Sequence, residues 1–593
     1  MTNPKLALIP SGYKSGKVYS ILPNDASGDF DFTRQSIGTR VRKDGLIEEA
    51  KTVGSITNLQ IRSEEFDNSA WIKSDISVTA NDTLAPNGTN TADAIVEGTG
   101  TGGKIIYDTY TTSAGVYTFS VHIKKEDKRY TAVQVSGSVT TSMFNVDLDN
   151  GTGQVVAGSF DETNIETLAN DWYRVSVTFT ATSGTLNNQI YLMNGSAYAN
   201  RNYTGNGTDK NYVWGAMLSE GALSDYIKTE GTTETKTVET FTDVPRLDWL
   251  NSNCPSLLLE GQRTNLLKYS ENYSQSEWSK IRSTISINQS IAPNGTFTAD
   301  KIIASTDNNT HRCDQAITLT DGTIYSLSFF VKASEYNCIR ASIGQGGATF
   351  GNVASFNLNT KTVSTTGTIE NAEILDFGNG WFRCISTMQA GSADRVVIGI
   401  GIDDSYSFIG DNSSGLFMWG AMIEEASYTS SYIKTEASTV TRLADVCSVT
   451  PPSGIIGQTE GVVYVEVDWK GNDEESIFGV LHDGTVNNRM DFGYSATFNS
   501  FYFNIRTSGS SQGLLQYPNP NIGKYKIAIA YKNNDFSLWI NGVNEASDSS
   551  GSVPVTTKYN VGNYIGGGRE YPIISSKLYN TALTDAELTE LTT

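Results

Sequence analysis

Along most of the chain, apolar and polar residues alternate over short runs that stop at Asn, Asp, Gly or Ser. That is the period-two pattern of strands with one buried face. Tyr117-Thr118-Phe119-Ser120-Val121-His122-Ile123-Lys124 alternates in this way, and so does Tyr325 to Lys332. Gly461 to Trp469 begins with an apolar run and then alternates. Lys526 to Tyr531 and Phe536 to Ile540 flank an Asn533-Asn534 turn, and Asn541-Gly542 marks a second tight hairpin. Ile573 to Tyr579 reads as a further strand. One short helix is predicted after it: Thr584-Asp585-Ala586-Glu587 has capping-box spacing, with Leu588 and Leu591 following.

The pattern occurs twice. Thr57-Asn58-Leu59 returns as Thr264-Asn265-Leu266, and the match continues in order. The segment ending at Trp71 answers the one ending at Trp278. Ala85-Pro86-Asn87-Gly88-Thr89 with Thr91-Ala92-Asp93 answers Ala292-Pro293-Asn294-Gly295-Thr296 with Thr298-Ala299-Asp300. Trp172-Tyr173-Arg174 pairs with Trp381-Phe382-Arg383, and Trp214-Gly215-Ala216-Met217 with Trp419-Gly420-Ala421-Met422. Tyr226 to Glu230 and Tyr432 to Glu436 close the copies. Short alternating segments with Asn-Gly and Ser-Gly punctuation predict an antiparallel jelly-roll-like sandwich in each copy. Six of the nine tryptophans are paired between copies, which predicts two equivalent cores. The rival reading has Trp71 and Trp278 stacking on sugar rings.

The predicted fold class is therefore all-β. Repeat 1 spans 57–240, repeat 2 spans 264–445, and a third sandwich spans 455–593 after the break at Thr450-Pro451-Pro452-Ser453-Gly454. Composition narrows the function. Net charge is −21 with a pI near 4.7, which leaves no general basic field for nucleic acid. No apolar run approaches the 18 or so residues of a membrane helix, and the start does not read as a secretory signal. Synthesis in a cytoplasm is the corresponding expectation. The five cysteines, Cys254, Cys313, Cys338, Cys384 and Cys447, are widely spaced and without a C-x-x-C pair, so neither a disulfide framework nor a zinc knuckle is expected.

Two ends of the chain carry a resemblance. Ile527 to Tyr531, Phe536 to Gly542 and Leu578 to Leu588 resemble the concanavalin A-like, laminin-G-type jelly roll. The opening, Pro10-Ser11-Gly12-Tyr13-Lys14-Ser15-Gly16-Lys17-Val18-Tyr19-Ser20, with Gly28 to Arg34 and Thr39 to Glu48, is similar to tailed-phage virion proteins that carry such modules. In that family the opening runs on into a segment like Val244 to Trp249 and Cys254 to Leu266. Here repeat 1 stands between them, so residues 1–56 are expected to be an anchoring and assembly segment completed by 241–263, with the two halves meeting in space.

No enzyme motif survives inspection. Gly98-Thr99-Gly100-Thr101-Gly102-Gly103 satisfies G-x-G-x-x-G but no helix follows, and Ser11 to Lys17 lacks the spacing of a phosphate loop, leaving a flexible anchor loop. His122, His311 and His482 are far apart. Glu466-Val467-Asp468 begins the glucanase motif E-x-D-x-x-E, yet position 471 is Gly, so the acid/base is missing and an exposed strand edge accounts for the pair. No catalytic, cofactor-binding or metal residues are assigned. The acidic stretches Asp473-Glu474-Glu475 and Asp403-Asp404 could hold only a structural calcium, with solvated loop charge the simpler reading. The resemblance implies a non-enzymatic head fibre or capsid-decorating fibre at the virion surface that adheres to host or environmental glycans. It also implies a homotrimer that contacts other virion proteins through its N-terminal segment. A tail fibre and a polysaccharide-degrading hydrolase are the alternatives.

Overall fold

The structure is a computed structural model that describes residues 2–250, 252–344, 352–391, 395–469, 475–562 and 572–593. It is all-β, built of three antiparallel sandwiches. The chain forms two compact units, Val53–Glu239, and Met1–Thr52 with Thr240–Thr593.

Val53–Glu239 holds the first repeat. One sheet runs Glu162–Thr167, Trp172–Ala181, Gly115–Lys125, Lys210–Glu220, Ala92–Glu97, Ile76–Thr83. The facing sheet runs Thr152–Ala157, Ser142–Asp147, Tyr130–Gly137, Gly184–Met193, Thr101–Thr112, Asn202–Thr204. Inward residues such as Phe119, Val133, Val146, Val175 and Ile190 close the core between them. The second repeat, in the other unit, uses the same strand order from Asn371–Asp376 to Ser283–Ser290 in one sheet, while its other sheet runs from Thr362–Thr366 to Trp278–Ile281, the counterpart of Ile72–Ser74, which pairs with Thr101–Thr112 in the first repeat.

The motifs shared by the copies are scaffolding. Asn58 and Asn265 are fully buried and each donates to two carbonyls, Ala216 and Ile227 in one copy, Ala421 and Ile433 in the other. Asp93 accepts the N–H groups of Phe66 and Asn81, and Asp300 those of Tyr273 and Asn288. In Trp-Gly-Ala-Met the glycine sits in a β-bulge at positive φ, +58° at Gly215 and +63° at Gly420, a conformation that disfavours any side chain. Trp71 and Trp278 do not face sugars. Each is 1% exposed, packs against Phe66 or Tyr273, and spends its indole N–H on a backbone carbonyl, Arg62 O at 3.0 Å and Tyr269 O at 3.2 Å.

The third sandwich draws strands from both ends of its unit. Leu6–Leu8 pairs with Ile573–Tyr579, which also pairs with Glu460–Trp469. Phe30–Thr33 pairs with Val446–Val449, itself paired with Lys558–Val561. Residues 6–33 of the expected anchoring segment thus belong to this sandwich: Leu6, Leu8, Phe30 and Phe32 alternate into the core that Val463, Phe492 and Ile529 fill. Ser11 to Lys17 is likewise not a flexible loop but a hairpin, Tyr13–Lys14 with Lys17–Val18, turned at Gly16. Thr584 caps helix Asp585–Thr592 with a complete capping box, and Asn541-Gly542 turns the hairpin with φ +47° and +87°.

The segment after the first repeat meets the one before it. Arg34 N–H donates to Asp243 at 2.7 Å, Arg34 Nη2 to Val244 O at 2.9 Å, and Val41 N–H to Asp248 at 2.7 Å. At their centre lies a buried ion network. Asp445 accepts from Arg34 Nη1 at 2.8 Å and from Arg246; Glu260 accepts from Arg246 at 2.5 Å and pairs with Arg442 at 2.9 Å. The side chains of Arg34, Arg246, Arg442 and Asp445 have no solvent exposure. Burial alone would raise the Glu260 carboxyl, but Arg442 and Arg246 outweigh it and hold it well below the carboxylate range.

Candidate functional site

In the first repeat, the sheet containing Tyr130–Gly137 carries polar and aromatic side chains on its outer face, in rows set by strand register. One row reads Thr152, Asp147, Tyr130, Met193; the next reads Gln154, Asn145, Ala132, Tyr191, Ile105. Successive residues leave opposite faces of a strand, so Val133 and Val146 beside them enter the core. A shallow cavity of about 230 Å³ opens between the two rows, lined by Tyr130, Asn145, Asp147, Gln154 and Ser196.

The loop after Met193 fixes the polar groups of this cavity. Asn145 Nδ2 donates to Gly195 O at 3.2 Å and Gln154 Nε2 to Ser196 O at 3.1 Å. Asp147 takes a two-pronged contact from Arg129, Nε at 2.9 Å and Nη2 at 2.7 Å, plus Asn150 Nδ2 at 2.9 Å. The guanidinium brings the Asp147 carboxyl down to about 2. Arg129 also lies 5.1 Å over the Tyr130 ring, and Arg201 3.6 Å over Tyr198. The floor is tight: a Cβ on Gly153 would come within 2.3 Å of Phe144. Ala132, Met143, Tyr191 and Met193 form an apolar patch beside the cavity, with Tyr198 packed on it.

The second repeat keeps the register and changes the chemistry. Its rows read Thr362, Asn357, Cys338, Gly401 and Ser364, Ser355, Arg340, Gly399, Arg312. Arg340 replaces Ala132 and lies across the position of Tyr191, which is glycine here; a Cβ on Gly399 would meet Arg340 Nε at 3.0 Å. The Arg340 guanidinium rests 5.0 Å over Tyr406.

The residues weighed from sequence fall elsewhere. Gly98 and Gly100 wrap the Asp75 carboxylate, where a Cβ would approach Oδ1 to 2.0 Å and Oδ2 to 2.8 Å respectively. Strand Thr101–Thr112 follows them. Glu466 and Asp468 lie on an interior strand, not an edge, opposite Lys526 and Lys524. His122 packs edge-on against Trp214 and Tyr226, His311 lies between the Arg282 and Phe408 carbonyls, and His482 meets Asn560. Asp403 and Asp404 are exposed and bonded by Asn337 and Asn357. Asp473 and Glu474 lie outside the described residues. Among the described residues no three His, Cys, Asp or Glu side chains gather as a metal-ligand set. The cavity residues Tyr130, Asn145, Asp147 and Gln154 were not singled out by sequence. Their signal is positional: they are outward-facing sites of aligned strands at which the two copies differ.

No protein-family model matches the chain, and no curated protein matches it. Among solved structures it is similar to the Ruminococcus gnavus IT-sialidase CBM40 bound to alpha2,3 sialyllactose, at 16% identity over 23% of this chain and 84% of that one, with TM-score 0.20. It is also similar to domains LG4-5 of the mouse laminin alpha1 chain, at 9% identity over 47% and 90%, with TM-score 0.18. A Trypanosoma rangeli sialidase in complex with sialic acid is similar at 9% identity over 94% and 97%, with TM-score 0.19.

Proposed function

We propose that the chain is a non-enzymatic glycan-adhering protein of a tailed-phage virion surface, as a head fibre or capsid-decorating fibre. The observation that carries the adhesive reading is the tyrosine-rimmed polar cavity on the outer face of the first repeat, between Tyr130 and Gln154. Aromatic rings with a few fixed amides are the surface a sugar ring meets well, since its C–H face is apolar and its rim carries hydroxyls. A shallow site of this size binds weakly, and many copies on one particle would turn weak contacts into useful avidity. Virion placement rests on the resemblance of the opening segments. Because residues 6–33 are folded into the third sandwich, attachment would use the surface of that unit rather than an extended arm. The non-enzymatic reading is supported by Glu466 and Asp468, which face lysines across the sheet.

The test is a glycan array on the full-length chain, paired with antibody labelling of intact particles read by electron microscopy and with light scattering for the trimer. Array binding with label on the capsid supports the proposal. Label on the tail tip moves the protein to a tail fibre, and release of reducing ends from a polysaccharide replaces adhesion with hydrolysis.

A further inference from the structure

We propose that the cavity beside Tyr130 accepts a single uncharged sugar ring, and that the second repeat has no counterpart of this site. The proposal rests on the adhesive reading above and names the class of ligand for it.

Size sets the first bound. Pockets for drug-sized ligands run to roughly 300–1,000 Å³. At about 230 Å³, this cavity is below that range and suits one ring rather than a chain laid along a groove.

Charge sets the second. The only ionised group in the lining is Asp147, and its two oxygens are already occupied by Arg129, Asn150 Nδ2 and the Asp149 N–H. Arg129 is likewise committed, to Asp147 and to the ring of Tyr130. An acidic sugar would therefore meet no cation within the lining itself, and would have to sit beside a carboxylate. A neutral ring meets no such penalty.

Hydrogen-bond polarity sets the third. Each amide in the lining spends one of its two N–H groups on the loop, Asn145 on Gly195 O and Gln154 on Ser196 O. What remains of each is a second N–H and a carbonyl oxygen, a donor and an acceptor held side by side by the fixed amide. Hydroxyl groups both donate and accept and so match the pair, whereas carboxylate and sulfate groups only accept and leave the carbonyl oxygen unmatched. The loop carbonyls thus orient the amides for a polyhydroxyl ligand, and Tyr130 supplies the wall for its C–H face.

The second repeat is an internal control with the same backbone register. Cys338 stands for Tyr130, Ser355 for Asn145, Asn357 for Asp147 and Ser364 for Gln154, with Arg340 laid over Gly399 beside them. Neither fixed amide of the first copy is present there.

The test is binding of the full-length chain to an array of hexose-terminated, sialylated and sulfated oligosaccharides, repeated at low and high salt. Saturation-transfer NMR on the strongest ligand follows. Binding to neutral termini, unchanged by salt, is expected. It should weaken at least about tenfold in Gln154→Ala and in Asn145→Ala, and stay unchanged in Arg340→Ala. Gln154 is exposed on an edge strand, so its variant folds even if Asn145→Ala does not. Preference for acidic termini that salt abolishes and Arg340→Ala removes would overturn this proposal while leaving adhesion standing. Neutral binding indifferent to Gln154→Ala and Asn145→Ala would also overturn it. Absence of binding to every glycan would overturn the adhesive reading itself.

Discussion

Lys104, buried, and Asp75, partly exposed, form an ammonium–carboxylate pair in the first repeat, and two backbone carbonyls, Gly100 O at 2.7 Å and Tyr203 O at 3.1 Å, complete an oxygen cage around the nitrogen. The side chain of Lys104 has no solvent exposure. A lysine here does what a bound cation does elsewhere: it gives several converging acceptors one shared donor. Lys104→Met keeps the length and removes the donor. It is expected to destabilise Val53–Glu239, because the partly exposed acceptors lose their shared donor and only part of that loss is made good by water. Hydrogen exchange along Thr101–Thr112 in the full chain checks this, and unchanged protection there would contradict it.

His122 makes the same unit acid-sensitive. Burial, with repulsion from Arg174, lowers its imidazole from 6.5 to about 4. A histidine whose folded value is depressed contributes stability above its unfolded value, and that contribution is lost as pH falls from about 6.5 to 4, up to about 3 kcal/mol. The Asp93 carboxyl, raised by burial from 3.8 to about 6, acts oppositely: its contribution is full below 3.8 and fades as pH rises through 6. The second repeat has Phe330 at the position of His122, in register with Arg383 as His122 is with Arg174. His122→Phe should therefore abolish the loss between pH 6.5 and 4 and leave the opposing Asp93 slope. Chemical denaturation at pH 7 and 4.5 reads the difference.

Asp445 is the group on which the buried ion network turns, because it answers both Arg34 and Arg246. Asp445→Asn leaves two buried guanidinium groups short of a countercharge and is expected to cost about 3–5 kcal/mol. Arg34→Met removes one charge but leaves Asp445 paired with Arg246, so its effect should be the smaller of the two. Urea midpoints for the transition of the larger unit rank them, and the reverse order would refute this reading.

Trp71 distinguishes the core from the outer face of the sheet. Trp71→Ala should destabilise the first repeat by about 3–5 kcal/mol, the range for emptying a buried aromatic site. Tyr130→Ala on the outer face should change stability far less. Thermal unfolding of the two variants tests the distinction.

The elements that sequence revealed are those whose cause is local. The Thr584 capping box, the Asn541-Gly542 turn and the alternation of Tyr117 to Lys124 each act within a few residues, and each produces the element it predicts. The tandem motifs were equally visible, because Asn58, Asp93 and Arg174 hold the same bonds as Asn265, Asp300 and Arg383. The pairing of Leu6–Leu8 with Ile573–Tyr579 was not, since nothing in either segment names the other. The cavity was hidden for a related reason. Tyr130, Asn145 and Gln154 become neighbours only through the register of three strands, and before that register is known the tryptophans are the more conspicuous aromatics.

The interleaving of early and late strands in the third sandwich also sets an order of assembly. A ribosome working at roughly 5–20 residues per second needs on the order of half a minute to two minutes between making Leu6–Leu8 and making Ile573–Tyr579, the strand that covers them. Through that interval the first repeat can complete both of its sheets from residues already made. Leu6, Leu8, Phe30 and Phe32 must wait with their apolar side chains and backbone edges unshielded. Chaperone dependence of this protein should accordingly be concentrated in its opening residues, and a translation arrest before residue 573 should yield a folded repeat tethered to an open, aggregation-prone half-sandwich.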